Sequence, residues 1–284
     1  MNIFGFFATA IFAAESLLTP LSDAVIHPAV SFADLMKTAS AGTGTFSATI
    51  VAGQTVEVDM RKTKKPHNTI AFLGDSMIDT LGSDLRLVHD ELERVYPEAT
   101  FTLLNYGVGG ENIVSGLERV TRDTVYLGSR RPALISTRPD LIVIESFAYN
   151  PFTFEVGALE QHWLSLSYIV DALKVNLPET KIVLAATIAP NSKVFGDGVP
   201  GLAFSLQDKL ERTGTIKRYL ENTIRFAKSE GIPLADIYHP SIDSTGEGKL
   251  LYINPGDHIH YSDLGRQLFA RTVVDTIVAN TLLE

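Results

Sequence analysis

Hydrophobic and polar positions follow two different periods along this chain, and from Thr69 onward the two alternate. The short apolar runs "TIAFLG", "TFTLLN", "DLIVIES", "KIVLAAT" and "IPLADIY" predict five strands. Their nearly continuous apolar character is what strands covered on both faces require. Between them, apolar residues return every three or four positions: Leu81, Leu85, Val88, Leu92 and Val95 form one helical stripe, and Leu159, Trp163, Leu166, Val170 and Leu173 another. A further helix is expected around Asp208 to Ser229, and a last one after Ser262, a capping residue, with Phe269, Val273 and Ile277 on one face. Strand and helix in alternation predict a three-layer α/β/α domain around a five-stranded parallel sheet, flavodoxin-like in order, because right-handed crossovers place helices on both faces.

The chain before Thr69 reads differently. "TASAGTGT", Thr38 to Thr45, consists of small residues and predicts a linker, and "TFSATIVAGQTVEVDM" alternates around Gly53 like a hairpin. Residues 38–66 are therefore expected as a linker and a small β appendage, and 67–284 as the main domain. Residues 1–37 begin with "MNIFGFFATAIFAAESLL", apolar from Ile3 to Ala14 apart from Gly5 and Thr9. Glu15 interrupts this run short of the about 20 residues that a membrane span needs. It reads either as a signal or anchor remnant or as a helix packed on the domain. The first reading, slightly favoured, brings with it a cell-envelope or secreted location, and this segment is the only part expected to touch a membrane.

Composition narrows the function classes. With 284 residues, 45% of them hydrophobic, the chain can bury one substantial core. Its formal charge of -9 is the wrong sign for collecting phosphates, so no nucleic-acid partner is expected, and the one basic run, Arg61 to Lys65, reads as a solvated linker. The absence of cysteine removes disulfides, thiolate metal sites and a Cys nucleophile.

In an open α/β sheet, chemistry collects at the carboxyl ends of the strands. There the first strand runs into Gly74-Asp75-Ser76. Taken alone, this reads more readily as a strand-to-helix turn than as a nucleophile. A serine nucleophile needs a base, and the base needs an orienting acid. His260 in "NPGDHIHYSDLG" has Asp257 three residues upstream, close enough for a carboxylate to turn back onto the imidazole. The same stretch reads alternatively as a loop near a helix cap, or as a weak His258–His260 metal pair. "NYGVGGEN", Asn105 to Asn112, can present backbone N–H groups, and with Asn112 at the third glycine position it is no dinucleotide fingerprint. The sequence contains no G-x-S-x-G, P-loop or H-E-x-x-H motif. Phe147, Tyr149, Phe152 and Phe154 flank Asn150 as pocket or core residues, and Phe195 to Leu202 is glycine-rich, a lid or a plain surface loop.

In order, "GDSM", "NYGVGGEN", "AYNP" and "DHIH" resemble the sequence blocks of the SGNH/GDSL hydrolases, with Met77 where leucine is commoner, and Ala148 and Pro151 in place of a glycine and an aspartate. The resemblance spans Thr69 to the C-terminus. It implies Ser76 as nucleophile, His260 as base and Asp257 as its orienting acid. It also implies an oxyanion hole from the N–H groups of Ser76 and Gly110 and the amide of Asn150, with no metal and no cofactor. The implied activity is hydrolysis of an acyl ester of a small molecule, carbohydrate or lipid. An acyltransferase using the same residues and an inactive binding module of the same fold remain alternatives.

Overall fold

A computed structural model describes residues 46–49, 55–58 and 61–284. The apolar segment 1–37 and the expected linker over 38–45 lie outside the described residues. All the described residues belong to one compact unit, Thr45–Glu284. In the stretch expected as a hairpin, β1 (Phe46–Thr49) pairs antiparallel with β2 (Thr55–Val58).

The main domain follows the expected alternation. β3 (His67–Gly74) leads into the single turn α1 (Ser76–Asp79), then α2 (Arg86–Val95), β4 (Thr100–Gly107) and α3 (Ile113–Thr121). A short antiparallel hairpin, β5 (Thr124–Tyr126) with β6 (Ser129–Arg131), and the turn α4 (Leu134–Thr137) precede β7 (Leu141–Glu145). The long helices α5 (Ala158–Asn176) and α6 (Leu206–Glu230) bracket β8 (Lys181–Ala186). β9 (Leu234–Asp236), the turn α7 (Tyr238–Ser241) and α8 (Asp263–Ala279) complete the chain. The sheet order is β4-β3-β7-β8-β9 with every pair parallel, so the domain is a flavodoxin-like three-layer α/β/α sandwich.

All five residues of β7 are buried, and successive side chains go to opposite faces. Leu141 and Val143 join Ile70, Phe72, Phe269 and Val273 in one core, whereas Ile142 and Ile144 join Leu73, Leu166, Ile169 and Val170 in the other. This two-sided demand is why the strands read as continuous apolar runs. Capping agrees as well: the Ser262 hydroxyl accepts from Gly265 N–H at 3.1 Å, and Ser205 forms a capping box with Asp208. The stripe from Leu81 to Val95 is only partly helical. Gly82 and Leu85 take positive φ (92° and 48°), so the helix begins at Arg86 while Leu85 packs into the core from the turn before it.

One close approach sets the architecture around the site. A Cβ on Gly107, at the end of β4, would lie 2.2 Å from Asp79 N and 2.7 Å from Asp79 Cα. Backbone atoms cannot swing aside as a side chain would, so Gly107→Ala must push β4 and α1 apart. The expected cost is about 3 kcal/mol of unfolding free energy, read from urea titration, at the upper end for overpacking.

Candidate active site

The site builds outward from the end of β3. Asp75 caps α1, its Oδ1 accepting the Met77 N–H at 2.8 Å, and this sets Ser76 as the first helical residue, half-buried at the carboxyl edge of the sheet. The first N–H groups of a helix have no intrahelical acceptor, and among the described residues the Ser76 N–H has none elsewhere.

The glycine loop after β4 is tied to the same corner. Asn105 Nδ2 donates to the carbonyls of Ile78 (3.0 Å) and Gly82 (2.8 Å), its Oδ1 accepts the Gly107 N–H at 2.8 Å, and the Val108 N–H donates to Gly74 O at 3.2 Å. Gly109 then passes so near Ser76 that a Cβ on it would lie 3.9 Å from Ser76 Cβ. Gly110 follows with φ +77°, a conformation suited to glycine, and its N–H has no acceptor among the described residues.

Asn150 arrives from the end of β7. Its Nδ2 donates to Asp75 Oδ2 at 3.0 Å, which occupies one amide hydrogen and leaves the second. Beneath it, against the buried Asp75, lies a second fully buried acid, Glu145, that the pattern of blocks does not reveal. Glu145 Oε2 accepts the Asp75 N–H at 3.3 Å and its Oε1 accepts the Ser146 hydroxyl at 2.6 Å. Burial, reinforced by the Asp75 carboxyl, pushes Glu145 well above the usual carboxylate range. Burial also raises Asp75, against the hydrogen bonds from Met77 and Asn150 and the charge of His260. The signal for Glu145 was its place as the lone acid inside an apolar strand. The buried Arg119 on α3 closes this corner: Nη1 donates to Tyr106 O and, at 2.8 Å, to Gly74 O, tying the ends of β3 and β4 together. Burial lowers its guanidinium to about 10 although Asp75 opposes that shift.

Asp257 and His260 are brought together in the turn before α8. His260 Nδ1 and Asp257 Oδ2 are 2.8 Å apart, and Asp257 Oδ1 accepts the N–H groups of Ile259 (2.8 Å) and His260 (3.0 Å). Burial works to raise the Asp257 carboxyl, but the hydrogen bonds from the His260 ring and the two backbone groups outweigh it and hold it below its ordinary value. The carboxylate fixes a proton on Nδ1 and leaves Nε2 as the basic nitrogen. Ser76 Oγ makes no hydrogen bond to His260 in this structure. His258 Nδ1 donates to Asp197 O at 2.6 Å. Through that bond, and through the close approach of Gly198 to Gly256 O, the Phe195–Leu202 stretch packs against the turn carrying Asp257 and His260.

His162, on the buried face of α5, was also missed. Its Nε2 donates to Ser146 O at 2.8 Å and its Nδ1 accepts from Asn222 Nδ2 at 3.1 Å, anchoring the turn that carries Asn150. Burial pushes the imidazole from 6.5 down to about 4. The unfolded chain therefore binds more protons between these values, so this contribution is fully present above pH 6.5 and is lost as pH falls toward 4. On the order of 3 kcal/mol should disappear across that window. Urea titrations at stepped pH check it: the stability difference between wild type and His162→Gln should shrink by that amount.

Beside Gly110 and Asn150 lies a cleft of about 1000 Å³. Tyr149, Phe152, Phe154, Phe195 and Tyr219 supply its aromatic lining, and Phe152 and Phe154 stack with centroids 5.1 Å apart. Phe147 does not take part. With φ +53° it turns into the core, where Arg119 sits 5.7 Å from its ring centre.

No protein-family model and no curated protein sequence matches the chain. Solved structures do. The chain is similar to a lipase/acylhydrolase from Enterococcus faecalis, at 16% identity over 75% of this chain and 96% of that one, with a TM-score of 0.53. A GDSL-like lipase from Bacteroides thetaiotaomicron is 16% identical over 75% of this chain and 89% of its own, TM-score 0.52. An acetyl xylan esterase is 16% identical over 74% of this chain and 99% of its own, TM-score 0.52. The sheet order, the flanking helices and these likenesses together give the chain the fold of the SGNH/GDSL hydrolases.

Proposed function

We propose that the chain is a serine-dependent carboxylic ester hydrolase acting through Ser76, His260 and Asp257. His260 Nε2 takes the proton from Ser76 Oγ as the oxygen attacks the acyl carbonyl, and Asp257 stabilises the imidazolium that forms. Negative charge develops on the carbonyl oxygen, where the N–H groups of Ser76 and Gly110 and the second amide hydrogen of Asn150 receive it. His260 returns its proton to the departing alcohol, and a water, deprotonated by the same nitrogen, then cleaves the acyl-enzyme.

The observation that carries this reading is the Asp257–His260 hydrogen bond at 2.8 Å, and it is supported by the charge of His260 acting on Asp75, the residue next to Ser76. The N–H groups of Ser76 and Gly110, without acceptors among the described residues, support it. The aromatic cleft beside Asn150 supports an ester whose acyl or alcohol part is larger than a methyl group. Esters of acetyl or short acyl groups on carbohydrate or lipid fit that space, and the fold's likeness to lipases and an acetyl xylan esterase agrees with them.

A panel of p-nitrophenyl esters of increasing chain length, run beside acetylated oligosaccharides, tests the reading. Release of free acid at rates that depend on Ser76 is the expected result. Accumulation of a new ester when an alcohol acceptor is added would instead make the chain an acyltransferase. No turnover of any ester would favour a binding module.

A further inference from the structure

Between α3 and α4 the chain makes an excursion that the sheet does not require, the β5–β6 hairpin. Apolar burial does not hold it in place: its two aliphatic side chains, Val125 and Leu127, are 72% and 86% exposed. Polar contacts do. Tyr126 OH donates to Asp79 Oδ2 at 2.6 Å and accepts the Gly109 N–H at 3.4 Å. Arg131 lies 4.4 Å over the Tyr126 ring and donates to Gly107 O at 2.8 Å.

These contacts converge on the proposed oxyanion corner. Asp79 belongs to the turn that Ser76 opens, and Gly109 is the residue whose added Cβ would meet Ser76 Cβ at 3.9 Å. With its hydrogen committed to Asp79, the phenol presents only lone pairs to the glycine loop, so its contact with the Gly109 N–H has a fixed direction. The next N–H along the chain is that of Gly110, which has no acceptor among the described residues. Glycine has no side chain with which to fix its own peptide, so an outside contact must hold the loop still.

We propose that Tyr126 and Asp79 are positioning residues for ester cleavage: their hydrogen bond fixes the Gly109 peptide, and through it the Gly110 N–H, where the oxyanion forms. This rests on the esterase reading above. Burial and the Asp79 carboxylate both raise the Tyr126 phenol, so the bond persists through neutral pH. The transition state benefits from the alignment and the bound ester does not, so the effect belongs in kcat.

The test uses Tyr126→Phe, which keeps the ring and its contact with Arg131, together with Asp79→Ala, which removes the acceptor, and the double variant. With p-nitrophenyl acetate, each single variant should lose about tenfold or more in kcat, as small misplacements do, with KM little changed. The double variant should be no worse than the poorer single one, since both remove the same constraint. Leu127→Ser, on the exposed tip of the same hairpin, should leave kcat unchanged. Full kcat in Tyr126→Phe, a change confined to KM, or additive losses in the double variant would overturn the proposal. If the wild type cleaves no ester and a fluorophosphonate leaves Ser76 unlabelled, it is the esterase reading that has failed.

Discussion

Ser76→Ala should abolish ester hydrolysis while leaving the fold intact. The hydroxyl is the proposed nucleophile, and without it no acyl-enzyme forms, so the expected loss in kcat is about 10⁴-fold or more. Stability should barely change. Ser76 is half-buried, its side chain makes no hydrogen bond among the described residues, and alanine is a good helix former at the start of α1. Near-wild-type unfolding together with lost turnover separates chemistry from folding. Activity retained in this variant would reduce the Gly-Asp-Ser stretch to a turn.

Asn150→Ala should produce the next largest effect. The side chain donates one hydrogen to Asp75 and, in the proposed mechanism, keeps one for the oxyanion, so truncation should remove a donor used only in the transition state. The expected loss is about 10²- to 10³-fold in kcat with KM little altered. A structural penalty accompanies it: Asp75 is wholly buried, and taking away one of its hydrogen bonds leaves that oxygen unpaired, at about 1 to 3 kcal/mol. Kinetics well below the unfolding temperature keep the two effects apart. A variant whose KM rises while kcat holds would place Asn150 in substrate binding instead.

The fold was legible because its signal is repeated. Ile70, Phe72, Leu141 and Val143 face one core while Ala71, Leu73, Ile142 and Ile144 face the other, and such strands must read as unbroken apolar runs. Short polar elements carry no such mark. The hairpin strands "TVY" and "SRR" are held by Tyr126 and Arg131, whose partners, Asp79, Gly109 and Gly107, lie well upstream in sequence. The stripe beginning at Leu81 misled for a related reason: Leu85 packs inward from a left-handed turn, so burial continues where the helix does not.

At the site, the residues expected to face the substrate stood out because their chemistry is uncommon on a loop. The residues that hold them did not. Arg119 is a buried guanidinium on a short helix, and only the folded chain reveals that its targets are the carbonyls of Gly74 and Tyr106. His162 falls within an apolar stripe, where a histidine looks like ordinary core, yet it fixes the Ser146 carbonyl four residues before Asn150. Ala148 and Pro151 depart from the pattern of the third block, and here the turn takes its positive φ at Phe147.

The most direct test of the central claim is covalent capture. A fluorophosphonate reacts with a serine oxygen that has an adjacent base, and its tetrahedral adduct places an oxygen where the oxyanion would sit. Incubation of the full chain, digestion and mass spectrometry should find one adduct, on Ser76, absent from Ser76→Ala and formed far more slowly in His260→Ala. No adduct, or an adduct on another serine in a chain that still cleaves esters, would contradict the assignment of Ser76 and His260.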